Sequence, residues 1–487
     1  MDTRRDFLKR SIQTMTATAV LGGLLVCPAE AKQPNVLFVF PDQMRGQALG
    51  CMGDPNVQTP HLDQLARQGV LMRQTLANTP VCCPARACML TGQYAHRHGL
   101  VANDLRLRES RTTLAECFQQ AGYDTGFIGK WHLDGGKRMP GFVPPGPRRQ
   151  GFDFWAANEC SHAHFNTQYF RDTPEPIPVK KFEVEAWTDL AIEFLRHKRE
   201  RPFFLMIAPG PPHDPYKAPP EYEALYKAQD LALRPNWQEG VKGGSRQDLA
   251  SYYAMIHAID DQMGRLLKTL DELGLAEDTI VFFTSDHGDM LGSHGMTLKR
   301  KPYEESILVP GIFRYPRLGI SGRICDSLVT HVDYAPTLLS LCGIPVPDSM
   351  QGRDCTATLL GQNGDESDSA FFQIFGPYSN LNVEGGWRAV RTHRYVYARL
   401  EKRPWVLFDL HNDPYELRNL IDDPAARPVR IEMEQRLRDW MTRTGDSWKS
   451  NWSIPVEDGG RLYKHDTFYS IADYVNWHEK QTGEVLR

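Results

Sequence analysis

The chain lacks the features that mark several specialised classes of protein. Its 487 residues include 56 Lys and Arg against 60 Asp and Glu, a formal net charge of −4, so it has no basic excess of the kind that nucleic-acid-binding proteins carry. No apolar stretch approaches the length of a membrane-spanning helix, and there are no internal repeats or low-complexity tracts. With 41% hydrophobic residues, the chain can bury a large core, which excludes a single small domain.

Cysteine is present without an organised pattern. The ten cysteines show no spacing typical of a disulfide framework, although an even number in an exported protein permits disulfides. No Cys-x-x-Cys pair indicates a zinc site. Cys83 and Cys88 are expected to be buried thiols rather than ligands.

The first 31 residues are predicted to be removed from the mature protein. Arg4 and Arg5 precede an apolar run over 17–26, and small residues at Ala29 and Ala31 offer a cleavage site. This arrangement resembles a bacterial twin-arginine export signal, so we expect a mature protein that begins near residue 32 and works in the periplasm. Lipoprotein anchoring through Cys27 is the disfavoured alternative, because Val26 occupies a position where a small residue is expected.

Mostly apolar runs of strand-forming residues alternate with stretches of helical period. Such runs suit parallel strands that are buried on both faces. The alternation predicts a large, doubly wound, mostly parallel α/β sheet, with sites outside the carboxyl ends of its strands. The predicted strands are 34–40, 125–129, 203–208 and 279–284, and the predicted helices are 113–122, 187–198 and 249–273, with another beginning near Thr59.

An eleven-residue stretch, 82–92, carries the strongest chemical signal. Taken alone, it could be a buried turn into a helix. It resembles the type I sulfatase signature Cys-x-Pro-x-Arg-x-x-x-Leu-Thr-Gly, and every fixed position is met. Counting back from Pro84 assigns the first position to Cys82 and leaves Cys83 as the variable residue. The resemblance implies the alkaline phosphatase-like superfamily and oxidation of Cys82 to formylglycine, whose hydrate is the nucleophile. It also implies that Arg86 holds the nucleophile and nearby carboxylates.

The same resemblance implies one divalent cation. Asp42 and Gln43 follow the first predicted strand, and Asp286 and His287 follow a later one, at the positions of the family's two ligand pairs. The usual pairs are Asp-Asp and Asp-Asn, so the chain departs at Gln43 and His287. Gln still offers a carbonyl oxygen, whereas an imidazole nitrogen suits calcium less than oxygen does. Calcium is the expected ion, with manganese or zinc as alternatives, and sulfate and the modified Cys82 are expected to complete its shell.

Four more residues match family positions that handle sulfate and the leaving group. Lys130 is expected to bind sulfate oxygens, and His132, two residues on, to act as the base that collapses the sulfated hydrate. His213 matches the histidine near the leaving group. Lys299 matches the lysine that bridges sulfate and leaving oxygen, and Lys301 is its rival.

The composition shifts near residue 365. Beyond it, predicted strands at 387–392, 395–398 and 406–410 and a helix at 431–442 resemble the family's small antiparallel domain. The expected domains are a signal peptide (1–31), a catalytic α/β domain (32–365), a small α+β domain (366–447) and a C-terminal extension (448–487).

The sequence is compatible with three functions. The first is a sulfatase that acts on sulfated carbohydrate and is activated by a formylglycine-generating or anaerobic sulfatase-maturing enzyme. The second is a phosphonate or phosphate ester hydrolase of the same superfamily. The third, a non-catalytic glycan-binding protein, has no use for an oxidisable cysteine. Basic and aromatic residues over 148–155 and 160–164 suit a wall for an anionic sugar or a plain surface loop.

Overall fold

The computed structural model describes residues 33–135, 139–362, 364, 366–375 and 386–448. The predicted export signal and nearly all of the predicted extension lie outside these residues. Within the described part of the chain, no helix combines the length and apolar content that crossing a bilayer requires. The nine described cysteines are all free thiols, so none of them forms a disulfide with another.

The strands form one large sheet, one smaller sheet and two short ribbons. In chain order they are β1 (Asn35–Val39), β2 (Val70–Met72), β3 (Thr75–Leu76), β4 (Asp124–Lys130), β5 (Phe154–Asn158), β6 (Thr167–Tyr169), β7 (Ile177–Val179), β8 (Phe203–Ala208), β9 (Thr279–Phe283), β10 (Ile312–Arg314), β11 (Arg323–Cys325), β12 (Val329–Thr330), β13 (Ser369–Ile374), β14 (Trp387–Thr392), β15 (Tyr395–Leu400) and β16 (Pro404–Asp409). The large sheet has eight strands in the order β11-β2-β10-β9-β1-β8-β4-β5. Only β10 pairs antiparallel with its neighbours, which confirms the predicted mostly parallel sheet.

Helices cover both faces of the large sheet. They are α1 (Pro60–Arg67), α2 (Cys82–Thr91), α3 (Ala95–His98), α4 (Leu114–Gln120), α5 (Glu183–Arg196), α6 (Pro220–Glu223), α7 (Arg246–Glu272), α8 (Glu304–Ile307), α9 (His331–Leu341), α10 (Thr356–Leu359) and α11 (Arg427–Thr444). Side chains of β1 alternate between two hydrophobic cores, because successive strand residues point to opposite faces. Val36 and Phe38 join the core that contains α2, α4 and α9. Leu37 and Val39 join the core that contains α1, α5 and α7.

Helix boundaries follow local capping chemistry. Thr113 and Glu116 form a capping box that starts α4, as the predicted helix from 113 requires. Ser245 and Asp248 form another, so α7 begins three residues before the first apolar position that predicted it. Past the end of α7, Gly274 has a φ of +66°, a conformation that glycine adopts without steric cost.

The small sheet is antiparallel, in the order β13-β14-β15-β16, and α11 packs against it. This confirms the predicted antiparallel sheet and helix near the C-terminus. Buried contacts join it to α8 and to the loop before α8: Arg391 donates twice to Glu304 at the start of α8 (2.8 and 3.0 Å), and Trp387 Nε1 donates to the Arg300 carbonyl (3.0 Å). The small sheet therefore supports the segment that carries Lys299.

Candidate active site

The motifs from distant parts of the chain meet at one edge of the large sheet. The neighbouring strands β9, β1, β8 and β4 run parallel, so their carboxyl ends lie together. Asp286, Asp42, His213 and Lys130 lie at or just beyond those ends. Backbone hydrogen bonds extend the pairing past the strands, from Asp42 N to the Pro209 carbonyl (3.0 Å) for example. The strand-end location expected from sequence is confirmed.

Four buried side chains form a cluster with the character of a metal site. One ligand atom each from Asp42, Cys82, Asp286 and His287 lies within 4.8 Å of the others. His287 Nε2 is 3.5 Å from Asp42 Oδ1 and 3.6 Å from Asp286 Oδ1. Its Nδ1 is 3.0 Å from the Gly288 carbonyl, which can only accept, so Nδ1 carries a proton. Burial and Asp42 raise the pKa of Asp286. Two carboxylates and an imidazole that converge in this way fit a divalent cation.

Arg86 and Lys130 bind the carboxylates of this cluster from the other side. Arg86 Nε donates to Asp286 Oδ2 (3.0 Å), Nη2 donates to Asp42 Oδ2 (3.2 Å), and Nη1 donates to the carbonyl of Lys130. Lys130 Nζ donates to Asp42 Oδ2 at 2.6 Å. Burial and Cys82 act to raise the pKa of Asp42, but Lys130, His213 and Arg86 outweigh them and hold it well below its usual range. Arg86 therefore contacts both carboxylates, and its catalytic role stays a prediction.

Cys82 is the first residue of α2 and is 1% exposed. Its Sγ lies 3.2 Å from His287 Nε2 and 3.7 Å from Asp42 Oδ1. Burial alone would raise the pKa of the thiol, but Lys299, Lys130 and His287 lower it well below the ordinary value. An oxygen atom that replaced Sγ would lie among the same charged groups. The same cations would favour an anionic oxygen there.

Asp104, which belongs to no recognisable sequence motif, holds His132 in place. His132 Nε2 lies 3.1 Å from Asp104 Oδ1, and both side chains are buried. Burial opposes protonation of the ring, but Cys160, Cys83 and Asp104 raise the pKa of His132 well above its ordinary value. Asp104 comes from a loop without a recognisable motif, so only the fold brings it to His132.

His213 and Lys299, both predicted to act near the leaving group, lie next to each other. Lys299 Nζ is 2.9 Å from His213 Nε2 and also donates to Gln43 Oε1. His213 Nδ1 donates to the Asp214 carbonyl (2.7 Å), so Nε2 accepts from the Lys299 ammonium. The structure thus brings Lys299 rather than its rival Lys301 to the site. Gln43 is close to the cluster through its backbone N–H, which donates to Asp286 Oδ1 (3.0 Å), while its side chain faces Lys299.

The basic and aromatic residues on either side of β5 differ in what they contact. The His162 ring stacks on His213 with 4.4 Å between centroids. His164 lies 2.6 Å from the His213 carbonyl and 2.8 Å from Glu183. Arg149, by contrast, is buried and donates to the Val143 carbonyl. His162 and His164 therefore hold His213 in place, whereas Arg149 is structural.

Comparisons with known proteins agree with this geometry. Residues 34–344 match the sulfatase family, and residues 292–443 match the family described as N-sulphoglucosamine sulphohydrolase, C-terminal. An ulvan-active sulfatase of Formosa agariphila is 37% identical over 428 residues, 86% of this chain and 83% of that protein. An endo-4-O-sulfatase of Bacteroides thetaiotaomicron is 29% identical, covering 86% of this chain and 94% of that one.

A solved structure from work on glycosaminoglycan metabolism by Bacteroides thetaiotaomicron superposes with a TM-score of 0.80. It is 27% identical in sequence, and the match covers 86% of this chain and 98% of that one. The signature at Cys82, the strand-end site and the extent of these matches lead to one conclusion: the chain belongs to the sulfatase family.

Proposed function

We propose that this sulfatase hydrolyses sulfate esters of sulfated carbohydrates in the periplasm, with a formylglycine made from Cys82 as nucleophile. The observation that carries the proposal is the surroundings of residue 82. Its side chain is part of the metal-type cluster and lies within the field of Lys130 and Lys299, which favours a buried anion at that position. Relatives that act on ulvan or carry an endo-4-O-sulfatase activity support a carbohydrate substrate.

Asp42, Gln43, Asp286 and His287 would hold one divalent cation, with calcium as the expected ion and manganese as the alternative. When bound, the cation supplies Lewis-acid neutralisation of the sulfate charge and favours ionisation of the nucleophile. Arg86 donates to Asp42 and Asp286, and Lys130 donates to Asp42, so these contacts keep the two carboxylates in place.

The remaining groups move protons on either side of the sulfur. Asp104 orients the His132 ring, which we assign as the group that exchanges a proton with the modified residue 82. On the opposite side, Lys299 donates to His213 Nε2, and the pair is placed to deliver a proton to the departing sugar oxygen. Lys130, together with Arg86, provides positive charge for the sulfate oxygens.

A substrate panel tests the proposal. Protein co-produced with a sulfatase-maturing enzyme should release sulfate from at least one sulfated mono- or oligosaccharide, and the matched Cys82→Ala protein should release none. Phosphonate and phosphate esters belong in the same panel. A higher kcat/KM for a phosphonate or phosphate ester than for every sulfate ester would replace this proposal with the ester hydrolase alternative.

A further inference from the structure

Hydrogen bonds hold the backbone of Gln43 in place, whereas its side-chain amide can point either its oxygen or its nitrogen toward a neighbour. Its backbone N–H donates to Asp286 Oδ1 (3.0 Å), its backbone carbonyl accepts from Tyr252 Oη (2.8 Å), and its φ is +70°. Half a turn about the last side-chain bond exchanges the amide oxygen and nitrogen with almost no change in shape. Nothing within Gln43 itself decides which of the two atoms faces Lys299.

The contact that decides it is a buried carboxylate, Asp289. Gln43 Nε2 donates to Asp289 Oδ2 at 2.8 Å, with a longer contact of 3.5 Å to Asp214 Oδ1. Ionised carboxylates only accept hydrogen bonds, so they take the nitrogen end of the amide and leave the oxygen end for Lys299. A lysine ammonium has only donors, and a cation binds only the oxygen, so both require this orientation.

Asp289 is itself held in one position. It is fully buried, its Oδ2 accepts from Tyr216 Oη (2.6 Å), and its Oδ1 accepts from the backbone N–H of Leu291 (3.1 Å). Because Tyr216 and Leu291 hold this carboxylate in one orientation, it can fix the orientation of the neighbouring Gln43 amide.

We propose that Asp289 is a positioning residue that makes Gln43 present its amide oxygen, and not its amino group, on the side of Lys299. The proposal rests on the proposed function in one respect: it takes Gln43 to be a ligand of the cation. Asp289 has no contact with the reacting atoms and acts only through the Gln43 amide.

The test moves a negative charge from position 289 to position 43. In Asp289→Asn, the new amide can donate to Gln43, which lets the Gln43 oxygen turn away. In Gln43→Glu with Asp289→Asn, an isosteric carboxylate at 43 accepts from the asparagine and still offers oxygen to Lys299. Asp260→Asn is the matched control, because Asp260 is also fully buried and accepts the N–H groups of His61 and Leu62 in α1.

The readout is the dissociation constant for Ca²⁺ and for Mn²⁺, measured by calorimetry on chelated full-length protein, with thermal unfolding alongside. Asp289→Asn should weaken cation binding by about 10–100-fold, as outer-shell changes do. The double variant should regain most of that loss, and Asp260→Asn should lose stability only. If the Asp289→Asn single variant does not fold, Gln43→Glu is compared with the double variant instead. The double variant should then bind the cation more tightly than Gln43→Glu.

Unchanged cation binding in Asp289→Asn would overturn the proposal. So would a loss that the double variant does not recover, because a merely structural Asp289 would not be rescued by charge at position 43. These titrations need no turnover. A wild-type protein that binds the cation but hydrolyses no sulfate ester would refute the proposed function and leave the orientation proposal standing.

Discussion

The two sides of the proposed active site are built differently. The nucleophile side consists of groups at strand ends and on α2, and all are at most 2% exposed: Asp42, Cys82, Arg86, Lys130, Asp286 and His287. The leaving-group side consists of groups on loops: His162, His213, Asp214 and Lys299. His213 and Lys299 are buried, but the Asp214 side chain is 40% exposed.

We infer from this difference that strand-end residues carry out the reaction and that loop residues recognise the sugar. Groups at the ends of buried strands cannot move without disturbing the core, which suits a nucleophile and a cation that need fixed geometry. Loops can change in length and sequence without cost to the core, which suits the recognition of different sugars. We expect changes on the nucleophile side to affect every substrate equally, and changes on the leaving-group side to depend on the substrate.

Asp286→Ala should give the largest loss. It removes a cation ligand and leaves Arg86 partly unpaired, so turnover of all sulfate esters should fall by orders of magnitude. Elemental analysis should show that the bound metal is lost as well. Asp260→Ala, remote from the site, should cost stability and preserve kcat. Full activity after exhaustive chelation, with no metal detected, would contradict the account of this side.

His213→Ala should discriminate between substrates. Sugar sulfates, whose leaving oxygen is basic, should slow by about 10²-fold or more, whereas activated aryl sulfates need little proton transfer and should slow far less. The comparison is made by kcat for both ester types. His98→Ala, which changes a buried histidine 3.5 Å from Cys88 Sγ, should affect both esters alike. Equal losses in His213→Ala would remove His213 from the acid role.

Arg391→Ala should act on the leaving-group side from a distance. It breaks a buried ion pair with Glu304, next to the segment that carries Lys299, and should cost about 3–5 kcal/mol in the free energy of unfolding. Arg394→Ala removes a half-exposed pair with Asp409 and should cost less than about 1 kcal/mol. Denaturant titration measures both. Equal costs would mean that the small sheet does not support the loop through this pair.

Replacing Arg4 and Arg5 with lysine should leave turnover unchanged and alter only location. Twin-arginine export carries folded proteins, while residue 82 is buried once the chain has folded, so its modification should precede export. Fractionation should find the variant inside the cell, uncleaved and carrying formylglycine. Stranded protein with wholly unmodified Cys82, beside modified exported protein, would reverse that order.

Much of the fold could be predicted because its strands are buried on both faces. The run 203–208 predicts β8 at its observed bounds, since continuous apolar residues leave no ambiguity of face. The helix at 82–91 was harder, because all its residues are buried and it has no polar face to reveal a period. Its N-terminal residue, Cys82, could be chosen only through the signature.

Site residues that belong to a sequence motif could be predicted. Site residues that only the packing of the fold brings into place could not. Asp42, Lys130 and Asp286 follow strands, so their convergence follows from a parallel sheet. Sequence reasoning does not identify Asp104 or Asp289 as site residues. Asp104 lies in an irregular loop, but Asp289 lies three residues beyond Asp286, and an acidic residue so close to a ligand pair was a usable signal. The choice between the two ends of the Gln43 amide depends on Asp289 and has no local sequence signature.

The chemical state of residue 82 in active protein tests the central claim most directly. Mass spectrometry of the tryptic peptide over 74–86, which contains both Cys82 and Cys83, should find an aldehyde at 82 and an intact thiol at 83. The modified fraction should track the specific activity across preparations. Active protein with an unmodified thiol at position 82, together with turnover by Cys82→Ala, would contradict the account.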